Sequence, residues 1–310
     1  MWDAAVELTA ALERALGSFA EAVTGASLGW LVLGVVLHLA NQVARGRGWC
    51  TLLSTASGER VRRRDAIAAW IAGAGAGGLA SARAGDAVRV VLLRRRLPEA
   101  GCPLLAGTLV AEGAGELAVG AALLAVAVAA GLGPEFGAPG LVWLLPALAG
   151  VALIAAAVAR TPRLRAIACG VGRGCAPLKA PGAYARGVLP WQVASRACRL
   201  GALACFLAAF DLPATFAAVL LVTAAQSGGR LVPFAPASVG AGAAMLAATF
   251  APVTGVAVPA GELAAFFVGT SVVLTVVGTI LTVGISLLTI RWRGLVEALR
   301  RVPATSTAAG

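Results

Sequence analysis

Apolar residues run through this chain in long blocks, and the charged residues fall in the gaps between them. The first block, residues 27–43, has about the length that one bilayer crossing requires, and it holds the single histidine, His38, together with Asn41. Ahead of it, Trp2, Val6, Leu8, Leu12 and Leu16 predict an amphipathic helix within residues 1–26. That segment is acidic, with Asp3, Glu7, Glu13 and Glu21 against Arg14, so it lacks the basic start of a secretory signal. Residues 45–64 carry Arg45, Arg47, Arg60, Arg62, Arg63 and Arg64 and read as a basic loop. A short apolar run then meets a glycine cluster at 73–78, followed by Arg83, Gly85, Asp86, Arg89 and Arg94–Arg96. Glycine costs about 1 kcal/mol per residue in a helix relative to alanine, so this stretch predicts a break. A hairpin that enters from the basic side and returns to it fits the charges best, because irregular backbone at membrane depth needs cover from protein or a water-filled cavity.

The block at 102–131 is interrupted by Glu112 and Glu116, which stand i and i+4 on one helix face. Two carboxylates facing lipid are costly, so that face is expected to point inward or lie near an interface. Residues 133–139 read as a turn and 141–158 as the return crossing. Residues 159–186 form a basic linker with Arg160, Arg163, Arg165, Arg173, Lys179 and Arg186. Residues 187–210 cross again, with Arg196 and Arg199 toward the start. Residues 215–225 are apolar but short, and a second Gly/Pro-rich break at 227–240 contains Pro233, Pro236 and Gly240. A short return at 241–250, a loop at 252–262 and a last span at 264–290 complete the apolar pattern, and 291–310 reads as a tail.

Composition sharpens this picture. The chain has 310 residues, 59% hydrophobic and only 13% charged, whereas a soluble domain is nearer a quarter charged. The expected fold class is therefore an all-α polytopic integral membrane protein. The net charge of +11 comes almost wholly from arginine in the gaps, which is the positive-inside pattern rather than the solvent-facing basic surface of a nucleic-acid binder. It places 45–64 and the C-terminus in the cytoplasm and the N-terminus outside, in a cell-membrane protein. The six cysteines, Cys50, Cys102, Cys169, Cys175, Cys198 and Cys205, form no CxxC pair and have no histidine beside them, so neither a zinc site nor another cofactor is expected. Matching breaks in the halves 27–158 and 187–290 predict two inverted-topology halves, each with a broken or re-entrant helical hairpin. A shift of 155 residues lays Gly85 on Gly240.

The motif Arg83-Ala-Gly-Asp86-Ala-Val-Arg89 with its basic cluster at 94–96, the later Glu112 and Glu116, and Pro233-Phe-Ala-Pro236-Ala-Ser-Val-Gly240 resemble the flippase-like family typified by the membrane region of lysylphosphatidylglycerol synthases. Asp86 stands where that family has glutamate, Ala237-Ser238 where it has paired glycines, and Ala243 where it has a final glutamate. The resemblance covers nearly all of 27–290. It implies a lipid translocase acting on an anionic phospholipid or a polyprenyl-phosphate-type lipid, and not an enzyme. Attachment of lysine is not expected, since no soluble synthase domain follows residue 290. Two other readings stand beside it: a membrane scaffold for a separate lipid- or glycan-modifying enzyme, and an embedded transferase with Glu112 or Glu116 as base.

An anionic head group at membrane depth needs fixed cations, and the planar guanidinium of arginine grips phosphate through two hydrogen bonds. Arg83 and Arg89 supply such cations, with Asp86 placed to hold Arg89 from i+3. A break at Gly85 lets the two arginines converge. Glu112 and Glu116 either pair with these arginines or carry protons. Pro233, Pro236 and Gly240 shape the second break. Against these roles stands the plainer one in which Arg94–Arg96, and to a lesser degree Arg89, only set topology at an anionic lipid surface.

Overall fold

The computed structural model describes residues 24–79, 82–97, 99–129, 161–229 and 235–290. The N-terminal amphipathic segment, apart from its last three residues, lies outside the described residues, as do the turn at 133–139, the return at 141–158 and the tail. All described secondary structure is helical: α1 (Leu28–Ser57), α2 (Arg63–Leu79), α3 (Ala82–Arg94), α4 (Cys102–Ala129), α5 (Pro162–Gly174), α6 (Pro181–Gly187), α7 (Leu189–Ala209), α8 (Phe216–Gly229), α9 (Ala235–Thr254) and α10 (Ala260–Ile290), with a 3-10 turn at Ala176–Lys179. The helices α1, α4 and α10 each contain a segment long and apolar enough to cross a bilayer. On α10, Val272, Val276, Ile280, Val283 and Leu287 form an exposed apolar stripe that suits lipid rather than water. The protein is a multi-pass membrane protein.

Two helix boundaries differ from the sequence reading. First, α1 continues through Arg45 and Arg47 and stops only at Gly58, whose positive φ of 73° caps the helix. The basic loop is therefore confined to the residues that follow Ser57. Second, α2 stays helical through the glycine cluster to Leu79, and Gly85 lies within α3 rather than at a break. Close helix packing explains this. A side chain at Gly85 would overlap the carbonyl oxygen of Gly73, and one at Gly75 would overlap that of Gly278 on α10. The glycines let α2 approach both neighbours at backbone distance, and that packing offsets their poor helix propensity. The 159–186 linker is also largely structured, as α5, the 3-10 turn and α6, with α5 lying along α4.

Each half repeats one order: a long helix, two shorter helices folded on each other, and another long helix. In the first half these are α1, α2 with α3, and α4; in the second they are α7, α8 with α9, and α10. By rise alone α2 is about 25 Å long and α3 about 20 Å, both short of the roughly 30 Å hydrocarbon core. Each half also has its own apolar core. Trp49, Leu52, Leu53, Trp70, Leu93 and Leu105 centre the first. Leu203, Phe206, Leu207, Val222, Phe250 and Phe266 centre the second. The halves meet along α1 and α7, which run antiparallel. Ser27 N–H donates to Ala209 O at 2.8 Å, while Gly48 near the other end of α1 lies against Trp191.

Candidate functional site

A cavity of about 750 Å³ lies between the two halves. From the first half, Gln42 and Arg45 of α1, Trp70 of α2, Arg83 and Arg89 of α3 and Glu112 of α4 face it. From the second come Arg199, Gln226, Phe267, Ser271 and Thr275. Four arginines, Arg45, Arg83, Arg89 and Arg199, line it against the two carboxylates Asp86 and Glu112, a formal excess of two positive charges.

Arg45 holds the carboxylates. Its Nε and Nη2 donate to the two oxygens of Glu112, each at 3.0 Å, and Nη1 donates to Glu116 Oε1 at 3.3 Å. A further short bond joins Arg45 Nη2 to Glu116 Oε2. This bidentate fork is the strong arrangement for an arginine–carboxylate pair, and it suits buried groups because each carboxylate oxygen finds a donor. Glu116 also faces the second half: Arg196 Nη2 and Arg199 Nη1 each lie 3.7 Å from its Oε1. Arg196 Nη2 donates to the backbone oxygen of Glu116 at 3.1 Å, and Arg199 Nη2 to Gln226 Oε1 at 3.3 Å. One carboxylate on α4 thus joins α1 to α7.

Beside this network lies an aromatic floor. The Arg89 guanidinium carbon sits 3.9 Å from the centre of a Trp70 ring, and that of Arg45 sits 4.8 Å away. Both contacts are within cation–π range. Trp70 is fixed by an edge contact with Trp49 at 5.4 Å and by its N–H donating to Gln42 Oε1 at 3.1 Å. Gly73, one turn below Trp70, leaves room for the Arg89 stem, which a side chain there would strike. Arg89 Nη1 bonds Asp86 Oδ1 at 2.7 Å, whereas its buried Nε has no hydrogen-bond partner. Arg83 is exposed to the cavity and forms no ion pair among the described residues.

The family model described as the lysylphosphatidylglycerol synthase TM region matches residues 5–282. This chain belongs to that family. No curated protein and no solved structure matches it. In this family member, Arg83, Asp86, Arg89 and Glu112 come together on one cavity, and Glu116 adjoins it through Arg45. Arg83 and Arg89 do so without a break at Gly85: α3 is continuous, and Arg83, Asp86 and Arg89, three residues apart, all line the cavity. Gly85 itself packs against α2. Pro233 lies outside the described residues. Pro236 stands in the first turn of α9, and Gly240 is exposed on α9 away from the cavity, while its neighbour Val239 lines it. Glu112 and Glu116 pair with Arg45. Sequence reasoning missed Arg45, Trp70, Arg199 and Gln226 as site residues. The available signal for Arg45 was the inward-facing glutamate pair, which requires a cation from some other helix.

Proposed function

We propose that this protein moves a lipid with a phosphate-bearing head group across the cell membrane, the head group passing through the cavity. One observation carries the reading: a cavity lined by both halves of a membrane protein holds an excess of arginine, including Arg83 with no ion pair among the described residues and Arg89 with a bare N–H. A phosphate oxygen is the natural acceptor for both, since guanidinium groups offer five donors in a planar fork. An anionic phospholipid and a polyprenyl phosphate share that chemistry. The repeated order of long helix, hairpin and long helix, together with the antiparallel α1 and α7, supports two inverted halves that alternate around a shared site. The positive-inside pattern supports a cytoplasmic C-terminus and an external N-terminus. In this reading Glu112 and Glu116 organise arginines and are not bases, so the protein is a carrier rather than an enzyme.

The test is reconstitution into vesicles with fluorescent phosphatidylglycerol, in parallel with a polyprenyl phosphate, scored by loss of accessibility to an external quencher or phosphatase. Wild type is expected to move at least one of them, and Arg83→Ala to slow it by tenfold or more. Equal rates for the variant and wild type overturn the assignment of Arg83. No transport by the isolated chain, with a lipid- or glycan-modifying enzyme co-purifying, replaces the carrier with a scaffold.

A further inference from the structure

A second, apolar compartment opens beside the charged one. It is a groove of about 540 Å³ between α3 and α4, walled by Ala87, Val90 and Val91 on one side and Ala106 and Val110 on the other. Val91 and Val110 are 52% and 56% exposed, although both sit on helices that pack together. The short side chains of Ala87 and Ala106 leave the space that larger residues would close.

Its position decides what it holds. Asp86 and Leu109 line both the groove and the central cavity, so the two compartments meet at these residues. At its other end the groove reaches Cys102, whose sulfur accepts a hydrogen bond from Arg94 Nη1 at 3.3 Å. From Asp86 to Arg94 is eight residues, about 12 Å of helix. A single hydrocarbon chain is narrow enough to lie along it. A charged compartment that adjoins an apolar one at Asp86 and Leu109 matches the two ends of a single amphipathic molecule.

We infer that the α3–α4 groove holds a hydrocarbon chain of the lipid whose head group sits on Arg83 and Arg89, and that lipid enters the cavity sideways between these two helices. This rests on the carrier reading above. It adds a route and a requirement: the ligand is a lipid, not a soluble phosphate, and its chain contacts a defined wall. Asp86 then marks the junction, where it pairs with Arg89 until a head group arrives.

The experiment uses the full chain in phosphatidylcholine vesicles containing phosphatidylglycerol with a diazirine midway along one acyl chain. After irradiation, labelled residues are mapped by peptide sequencing. Label is expected to be enriched several-fold at 87–91 and 106–110 over Val276 and Ile280, which face lipid on α10 at 51% and 65% exposure. The enrichment is expected to vanish in Ala106→Trp and, separately, in the surface variant Val91→Trp. Equal labelling of the groove and the α10 stripe overturns the proposal, as does cross-linking of a co-purified protein to the groove in place of lipid. Transport separates the two readings. If Arg83→Ala abolishes movement while both tryptophan variants move lipid at the wild-type rate, the groove is wrong and the carrier stands. If no variant or wild type transports, the carrier fails, and labelling still decides the groove. Excess soluble glycerol 3-phosphate that removes the groove label as fully as added phosphatidylglycerol also counts against a chain-binding site.

Discussion

Arg45→Met tests the buried network most directly. It keeps much of the side-chain volume and removes the charge. Glu112, whose side chain is 6% exposed, loses both of its 3.0 Å bonds from Arg45 and is left as a buried anion. Glu116 is less affected, since it is 28% exposed and retains Arg196 and Arg199 at 3.7 Å. Removing one partner of a buried pair costs roughly 3–5 kcal/mol. The 17% exposure of Arg45 admits some water and places the expected loss at the lower end, about 3 kcal/mol. Glu112→Gln leaves an exposed-edge cation with Glu116 still in reach, so about 1.5 kcal/mol is expected. The double variant removes the orphaned anion and should lie within about 1 kcal/mol of Glu112→Gln alone, a coupling energy of about 2–4 kcal/mol. Equilibrium unfolding in mixed dodecyl maltoside and SDS micelles measures all three, and buried Trp49 and Trp70 report through fluorescence. Additive losses, or a cost below about 1 kcal/mol for Arg45→Met, would show that Glu112 is served by water or by another cation.

Other expectations follow from single contacts. Gly75→Ala should destabilise by about 1–3 kcal/mol because its methyl meets the Gly278 backbone, whereas Gly78→Ala, with only Thr275 Oγ1 at 3.7 Å, should be neutral or slightly stabilising; the same unfolding assay compares them. Gly73→Ala should displace Arg89 from Trp70 and lower transport in the vesicle assay, and because its methyl also meets the Gly85 carbonyl oxygen it should destabilise by about 1–3 kcal/mol as well. Tyr184 is the single tyrosine and lies on α6, outside the candidate spans. Burial raises its pKa, against the opposing effect of the Gln192 hydrogen bond, with the Glu112 charge also raising it. The folded protein then holds the phenol proton more tightly than the unfolded chain, so stability is full below the unfolded value of about 10 and falls as pH rises past it. Tyr184→Phe should remove that part of the slope, as read by unfolding at stepped alkaline pH.

What the sequence made legible was whatever depends on local period and composition. The described apolar blocks are helices, and the described residues are helical up to Gly229 and again from Ala235. The inward turn of Glu112 and Glu116 followed from their four-residue spacing. Their partner did not, because Arg45 lies 67 and 71 residues away and an ion pair across that distance leaves no local pattern. Arg45 looked like a loop residue because unpaired arginine is costly inside a span; paired with two glutamates, it is tolerated there. The glycine cluster misled for a related reason. Propensity argues against helix at 73–78, yet the close contacts of Gly75 with Gly278 and of Gly73 with Gly85 exist only in the assembled bundle.

The four cavity arginines are not equivalent, and the difference separates stability from binding. Arg45 already donates four bonds to carboxylates. Arg199 is shared between Gln226 and Glu116. Arg89 spends one nitrogen on Asp86 and leaves Nε bare, and Arg83 has no ion pair among the described residues. For the proposed phosphate ligand the least resistance lies at α3, where only the half-exposed Asp86 need be displaced, and the most at α1, where a fork buried on Glu112 would have to break. Substitutions on α3 should then change transport with little change in stability, and substitutions of Arg45 should do the reverse. The division is also physical: α3 is the shorter arm of a hairpin, while Arg45, Glu116 and Arg199 tie the two halves to each other. In the proposed carrier, the cations left for a ligand sit on α3, and the cations committed to carboxylates sit on the joint between the halves.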